Sequence, residues 1–168
     1  MTISMYRASI PVMVKMLGSV RNLLEKGAAH AEAKKFDPAI LVNARLCPDM
    51  FPLSRQVQIA SDAAKGCGAR LAGIEAPKFE DTESSFPELL ARVDKTVAFL
   101  QTLKPEQIDG SEGREIVLKT PSRELHFNGE DFLRNFALPN FFFHITMTYA
   151  LLRENGVDIG KMDYLGLS

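Results

Sequence analysis

The sequence predicts an all-α fold, a four-helix bundle with a small β-hairpin inserted between helices three and four. Apolar residues recur at steps of three and four along four long segments, the stripe a helix turns toward a core. Strict alternation occurs only between residues 116 and 127, too little for an independent sheet. Hydrophobic residues make up 46% of the 168, with a formal net charge of -1. A chain of that kind collapses around one sizeable core instead of staying disordered.

The first helix is read from Tyr6, Ile10, Met13, Leu17, Val20 and Leu24. Gly27 marks a weakening, and residues 28–35 extend the helix. Asp37-Pro38 opens a new element, because the residue before proline is driven out of the α region. Residues 39–46 fit either a short helix or an extended connector. The second helix starts near Pro52, a favourable first-turn residue, and runs to Lys65 or slightly beyond. Its apolar side, Leu53, Val57, Ala60 and Ala64, is small enough for a neighbouring helix to approach closely. Gly66 and Gly68 are expected to loosen its end, and residues 73–84 read as a loop.

Ser85 and Glu88 form an S-x-x-E capping box, with Pro87 in the first turn of helix three. The stripe Phe86, Leu90, Val93, Val97 and Leu100 follows, and Lys104-Pro105 ends it. In the hairpin, Ile116 and Leu118 alternate with Val117 and Lys119, a turn spans Thr120 to Arg123, and Leu125 and Phe127 continue. Helix four begins near Asn128-Gly129, with Glu130 and Asp131 at its positive end. Pro139 should kink or break it, and Asn155-Gly156 should stop it. The tail is expected to pack through Ile159, Met162, Tyr164 and Leu165. No repeat or linker divides the chain, so residues 1–168 are expected to form one domain.

Twenty Lys and Arg residues against 21 Asp and Glu provide neither a nucleic-acid groove nor a polybasic membrane patch. Lys15 interrupts the apolar run from Ile10 to Val20, unlike a secretory leader. The Phe-rich stretch 136–152 contains Pro139, Asn140 and His144, and falls short of the ~20 clean apolar residues of a membrane span. The expected location is cytoplasmic. Cys47 and Cys67 are too few for a disulfide scaffold and too far apart for a metal or redox pair. Cys67 is expected in the core, and Cys47 partly exposed.

Of the three histidines, His126 alternates with Leu125 and Phe127 and should face solvent. His30 lies near a helix end among Ala and Lys residues and reads as surface. His144 shares the stripe Phe141, His144, Thr148 and Leu151, which points it inward. A buried imidazole without partners costs roughly 1–3 kcal/mol. His144 therefore reads either as a metal ligand or general acid/base, or as a core histidine bonded to a carboxylate or hydroxyl. Gln58, Asp62 and Lys65 share one face of helix two. An Asp62 carboxylate meeting His144 would make a polar site of the kind that bundles build between facing helices. Residues 156–161 lack the spacing of a phosphate loop, and Met162 stands where Ser or Thr is needed.

Leu138-Pro139-Asn140-Phe141-Phe142-Phe143-His144, then Tyr149-Ala150-Leu151-Leu152-Arg153, then Gly160-Lys161-Met162-Asp163-Tyr164-Leu165-Gly166 resemble a DinB/YfiT-like branch known only as a domain of unknown function. Arg45-Leu46-Cys47-Pro48-Asp49-Met50-Phe51-Pro52, followed by Gln56 and Asp62, carries the same resemblance across nearly the whole chain. It implies an up-down-down-up bundle, often dimeric, hence an expected homodimer. In the wider superfamily three histidines hold a divalent metal, one on helix two and an H-x-x-x-H pair on helix four. Some members are thiol-dependent transferases or isomerases.

His144 matches the first histidine of that pair, while Thr148 stands where the second would be. Helix two offers Asp62 or Gln58 in place of a histidine. One imidazole and one carboxylate form a thin set for zinc, nickel or iron, so no metal is expected, with His144 and Asp62 the ligands if one binds. The resemblance then implies a small-molecule-binding or stress-related accessory protein, its candidate pocket formed by His144, Thr148, Asp62 and Gln58. The alternative is a metal-dependent or acid/base enzyme, of the thiol-dependent transferase or hydrolase type, using His144 and Asp62.

Overall fold

The elements of the computed structural model, which describes residues 3–119 and 123–167, follow the periodicities closely. In chain order they are α1 (Met5–Lys34), α2 (Ala39–Val42), α3 (Leu53–Ala72), α4 (Phe86–Thr102), α5 (Pro105–Ile108), β1 (Ile116–Lys119) and β2 (Glu124–Phe127). Then come α6 (Gly129–Asp131), a π-helical stretch at Phe132–Ala137, α7 (Leu138–Glu154) and α8 (Lys161–Leu165). Helices α1 and α3 each pack on both α4 and α7, so the four long helices close a ring around the core. Met13, Leu17, Val20 and Leu24 of α1 and Leu53, Val57, Ala60 and Ala64 of α3 are fully buried, as their stripes require.

The glycines expected to weaken helices are packing positions instead. A Cβ on Gly27 would lie 2.9 Å from Leu152 Cδ2 and 3.1 Å from Phe86 Cε1. One on Gly68 would lie 2.6 Å from Leu103 Cδ1 and 3.0 Å from Leu100 Cδ2. Helix α1 therefore continues through Gly27, and α3 through Gly66 and Gly68, because burial of neighbouring side chains outweighs the ~1 kcal/mol helix penalty of glycine. Helix α3 stops at Gly73, whose φ of 69° allows its N–H and that of Ile74 to close on the last turn.

The expected capping box of α4 is altered. Glu88 accepts from the Ser84 N–H at 2.8 Å and from both serine hydroxyls, and the Ser85 hydroxyl does not cap the helix. The buried side of α4 is also rotated by one residue. Leu89, Arg92, Val93 and Thr96 are buried, whereas Leu90 and Val97 are only half-buried.

Strands β1 and β2 are antiparallel, with Ile116 opposite Phe127 and Leu118 opposite Leu125. Ile116 and Leu118 face the bundle. Of the expected turn at Thr120 to Arg123, residues 120–122 lie outside the described residues. Helix four starts as expected, with Asn128 Oδ1 accepting from the Asp131 N–H at 2.8 Å. Pro139, however, neither ends nor interrupts it. The helix passes from the π-helical stretch to α7 just before it, and Pro139, which has no N–H to bond, lies in the first turn of α7.

In the tail Val157 and Ile159 are buried as core residues, but Met162 is 52% exposed. A polar tether takes its place: Asp163 accepts from the Gly160 N–H at 2.7 Å and pairs with Lys26 of α1. Among the described residues, no helix is long and apolar enough to cross a membrane.

Candidate functional site

His144 lies inward on α7, 8% exposed, and reaches across to the first turn of α3. There its Nδ1 meets Gln56 Oε1 at 2.7 Å. Gln56 donates from its own Nε2 to the Phe51 carbonyl at 3.1 Å, so its oxygen is the atom turned to the imidazole. An amide oxygen only accepts, which assigns the proton to Nδ1 and leaves Nε2 with a free lone pair. Among the described residues nothing hydrogen-bonds Nε2, and it is not sealed from solvent as the unpartnered hydroxyls of Ser61 and Ser111 are. Burial first, and the charge of Arg55 second, hold the His144 pKa below its ordinary value of 6.5. Both effects favour the neutral ring. Phe143 stands edge-on to it with centroids 5.1 Å apart, and both Phe143 and Phe51 are more than half exposed.

Thr148 is fully buried beside this network, as its stripe position demands, but its hydroxyl donates to the His144 backbone carbonyl at 2.9 Å, back onto its own helix. Asp62 does not meet His144. Its carboxylate binds Lys65 Nζ at 2.9 Å and Arg92 Nη2 at 3.0 Å, on the side of α3 that faces α4. Gln58 is buried there too, accepting from Arg55 Nη1 at 3.1 Å and donating to Glu83 at 3.0 Å. The four-residue pocket expected from the sequence is thus two clusters: His144, Thr148 and Gln56 between α3 and α7, and Gln58, Asp62, Lys65 and Arg92 between α3 and α4.

The physical reason is angular. Gln58, Asp62 and Lys65 are offset from Gln56 around the helix, and α3 has a different neighbour on each side. Gln56, quoted above only for the resemblance, and Arg92 were not among the candidate site residues, and their spacing is the signal that marks them. Gln56 follows Leu53 by three and precedes Ala60 by four, and Arg92 follows Leu89 by three and precedes Thr96 by four. Each is a polar residue at apolar-stripe spacing, as His144 is.

The other candidates behave simply. Cys67 is buried, which pushes its thiol up to about 12 and precludes a thiolate near neutral pH; Cys47 is exposed. His126 faces solvent between Glu115 and Glu124. His30 is half-buried, with its ring centroid 5.9 Å from that of Phe36, so it is part of the α1 packing.

The metal that the resemblance implies does not fit these residues. His144 keeps Nε2 free but stands alone: the Thr148 hydroxyl is directed to its own helix, and Asp62 is held by two cations on another face. Among the described residues no group of three or more His, Cys, Asp or Glu side chains gathers to hold a metal ion.

The helix ring, the hairpin insertion and the inward histidine of α7 define a DinB-like bundle. The crystal structure of a DinB family member protein from Shewanella denitrificans is similar, with a TM-score of 0.88 and 38% identity, covering 96% of this chain and 91% of that one. Residues 5–165 match the family described as Domain of unknown function (DUF1993), and the chain belongs to it. No curated protein matches it.

Proposed function

We propose that this DinB-like bundle is a small-molecule-binding accessory protein in which a hydrogen-bonding site has replaced the metal centre of the wider superfamily. The observation that supports this is the orientation of Gln56. It holds His144 with Nε2 available, beside the exposed ring of Phe143. Such a site accepts a hydrogen bond from a ligand and covers the apolar part of it with aromatic surface. A weak donor such as a phenol or amide fits this chemistry. The reading includes the expected homodimer, for which sedimentation equilibrium is the test. It does not include an acid/base pair of His144 with Asp62, because Asp62 is bound to Arg92 and Lys65.

The test combines a metal and an organic probe. Wild-type protein is expected to hold no stoichiometric zinc or nickel. Gln56→His with Thr148→His, which completes a three-histidine set around His144, is expected to bind about one equivalent. Phenol added to the wild type is expected to shift the Nε2 resonance of His144, and Phe143→Ala to weaken that response. Stoichiometric metal in the wild type that is lost in His144→Ala would overturn the proposal, and so would an Nε2 resonance unmoved by phenols and amides.

A further inference from the structure

Residues 73–84, between α3 and α4, form a twelve-residue connection without helix or strand, long enough to need contacts of its own. Those contacts are mostly ionic. Arg92, with a side chain only 1% exposed, takes Asp81 at 2.9 Å, Glu83 at 3.0 Å and the Glu80 carbonyl at 3.1 Å. Arg55 pairs with Asp81, and Gln58 donates to Glu83. Phe79 sits among cations: Lys65 Nζ is 4.2 Å and Lys95 Nζ 4.1 Å from its ring centroid, and the Arg92 guanidinium carbon is 5.7 Å away. The connection acts as a strap lying on the α3–α4 seam.

The charges of the two sides are complementary. Of the seam groups engaged by the strap, Arg55, Lys65, Arg92 and Lys95 are cationic and Gln58 is neutral, and Asp62 partly offsets the positive charge. Residues 79–83 of the strap read Phe-Glu-Asp-Thr-Glu, three acids and one aromatic ring. The strap nonetheless fits imperfectly. Arg92 Nε is buried without a partner, which is costly for an ionised group. An open cleft of about 500 Å3 remains between strap and α4, with Lys78, Arg92 and Lys95 but also Glu80, Glu83 and Glu88 on its walls. The Asp81 side chain is 35% exposed and the Arg55 side chain 37%, so solvent and salt screen that pair.

We propose that the α3–α4 seam is a docking surface for an acidic peptide segment containing an aromatic residue, and that the strap is its intramolecular occupant. Tethering gives the strap a high effective concentration, so an external segment binds weakly until the strap is displaced or neutralised. Apart from Arg55, whose charge also reaches His144, the seam uses other residues, and the proposal does not depend on what His144 binds.

The probe is a fluorescein-labelled peptide copying residues 76–84, Ala-Pro-Lys-Phe-Glu-Asp-Thr-Glu-Ser. The double variant Asp81→Asn with Glu83→Gln weakens the strap and leaves both helices unaltered. At about 50 mM salt it is expected to bind the peptide at least ~10-fold more tightly than the wild type, and about 500 mM salt should abolish the binding. A peptide with alanine in place of phenylalanine should lose it as well. Trypsin cleavage after the exposed Lys78 supplies a second readout. It should accelerate at least ~10-fold in the double variant, and also in Phe79→Ala, which keeps every ion pair, while the unfolding rate of the helices stays unchanged. Equal affinity of variant and wild type, salt-insensitive binding, or cleavage only at the rate of global unfolding would each overturn the proposal.

Discussion

Gln56→Leu tests the central network directly. Gln56 is 2% exposed and leucine has a similar volume, so the substitution opens no cavity worth counting. It removes the acceptor 2.7 Å from His144 Nδ1 and the donor 3.1 Å from the Phe51 carbonyl. The second loss is small, because Phe51 is 54% exposed and water replaces the donor. The first leaves a buried N–H unpaired, at a cost of about 1–3 kcal/mol. Added apolar burial offsets part of it, for a net loss of about 2 kcal/mol, or a Tm about 6 °C lower for a domain of this size.

Urea titration reads the energy, and long-range proton–nitrogen correlation of the imidazole reads the tautomer. In the wild type Nδ1 should be the protonated nitrogen. In Gln56→Leu that preference should disappear, while Gln56→Glu should keep it and raise the His144 pKa by placing a carboxylate against the ring. A loss below about 0.5 kcal/mol with unchanged imidazole resonances would refute the hydrogen-bonded arrangement on which the site rests.

The pH dependence has a defined sign. The folded-state pKa of His144 is lowered, chiefly by burial, so below the unfolded value of 6.5 the unfolded chain binds the additional proton. Stability from this group is therefore complete above about pH 6.5, falls as the pH drops toward the folded pKa, and then levels off. Subtracting the urea stabilities of His144→Leu from those of the wild type across pH 5–7.5 should isolate that slope; a flat difference contradicts it. Gly68→Ala should cost about 1 kcal/mol by thermal unfolding, since it meets movable side-chain ends of Leu103, Leu100 and Ile10 and gains helix propensity. Gly129→Ala should cost about 3 kcal/mol, because its Cβ would fall 1.9 Å from the Ser111 backbone carbonyl oxygen, and equal losses in the two variants would refute this account.

Most of the fold was legible because its signals are local. Pro52, the Asn128 cap and the hairpin alternation each act within a few residues of themselves, and the apolar stripes place the four long helices without reference to a partner. Errors arose where a local rule met a distant neighbour. Gly27 and Gly68 read as weak points, but Phe86, Leu152 and Leu103, far along the chain, make them necessary. Pro139 read as a kink or a break, and the chain instead stays helical there, passing from the π stretch into α7 just before it.

The site was legible in half. The spacing of α7 turns His144 and Thr148 inward, and those two positions need no knowledge of the rest of the chain. The residue that meets His144 lies 88 positions earlier, and which face of α3 it occupies depends on where α7 settles. Asp62 was the more obvious partner by chemistry, yet Arg92 and Lys65 take it on the α4 side. The amino-acid sequence by itself thus determined the helices, their buried stripes and an inward imidazole, because each follows from periodicity and burial along one element. Only the tertiary structure decided that this imidazole faces a neutral amide instead of a carboxylate, because the choice depends on how three helices rotate against one another.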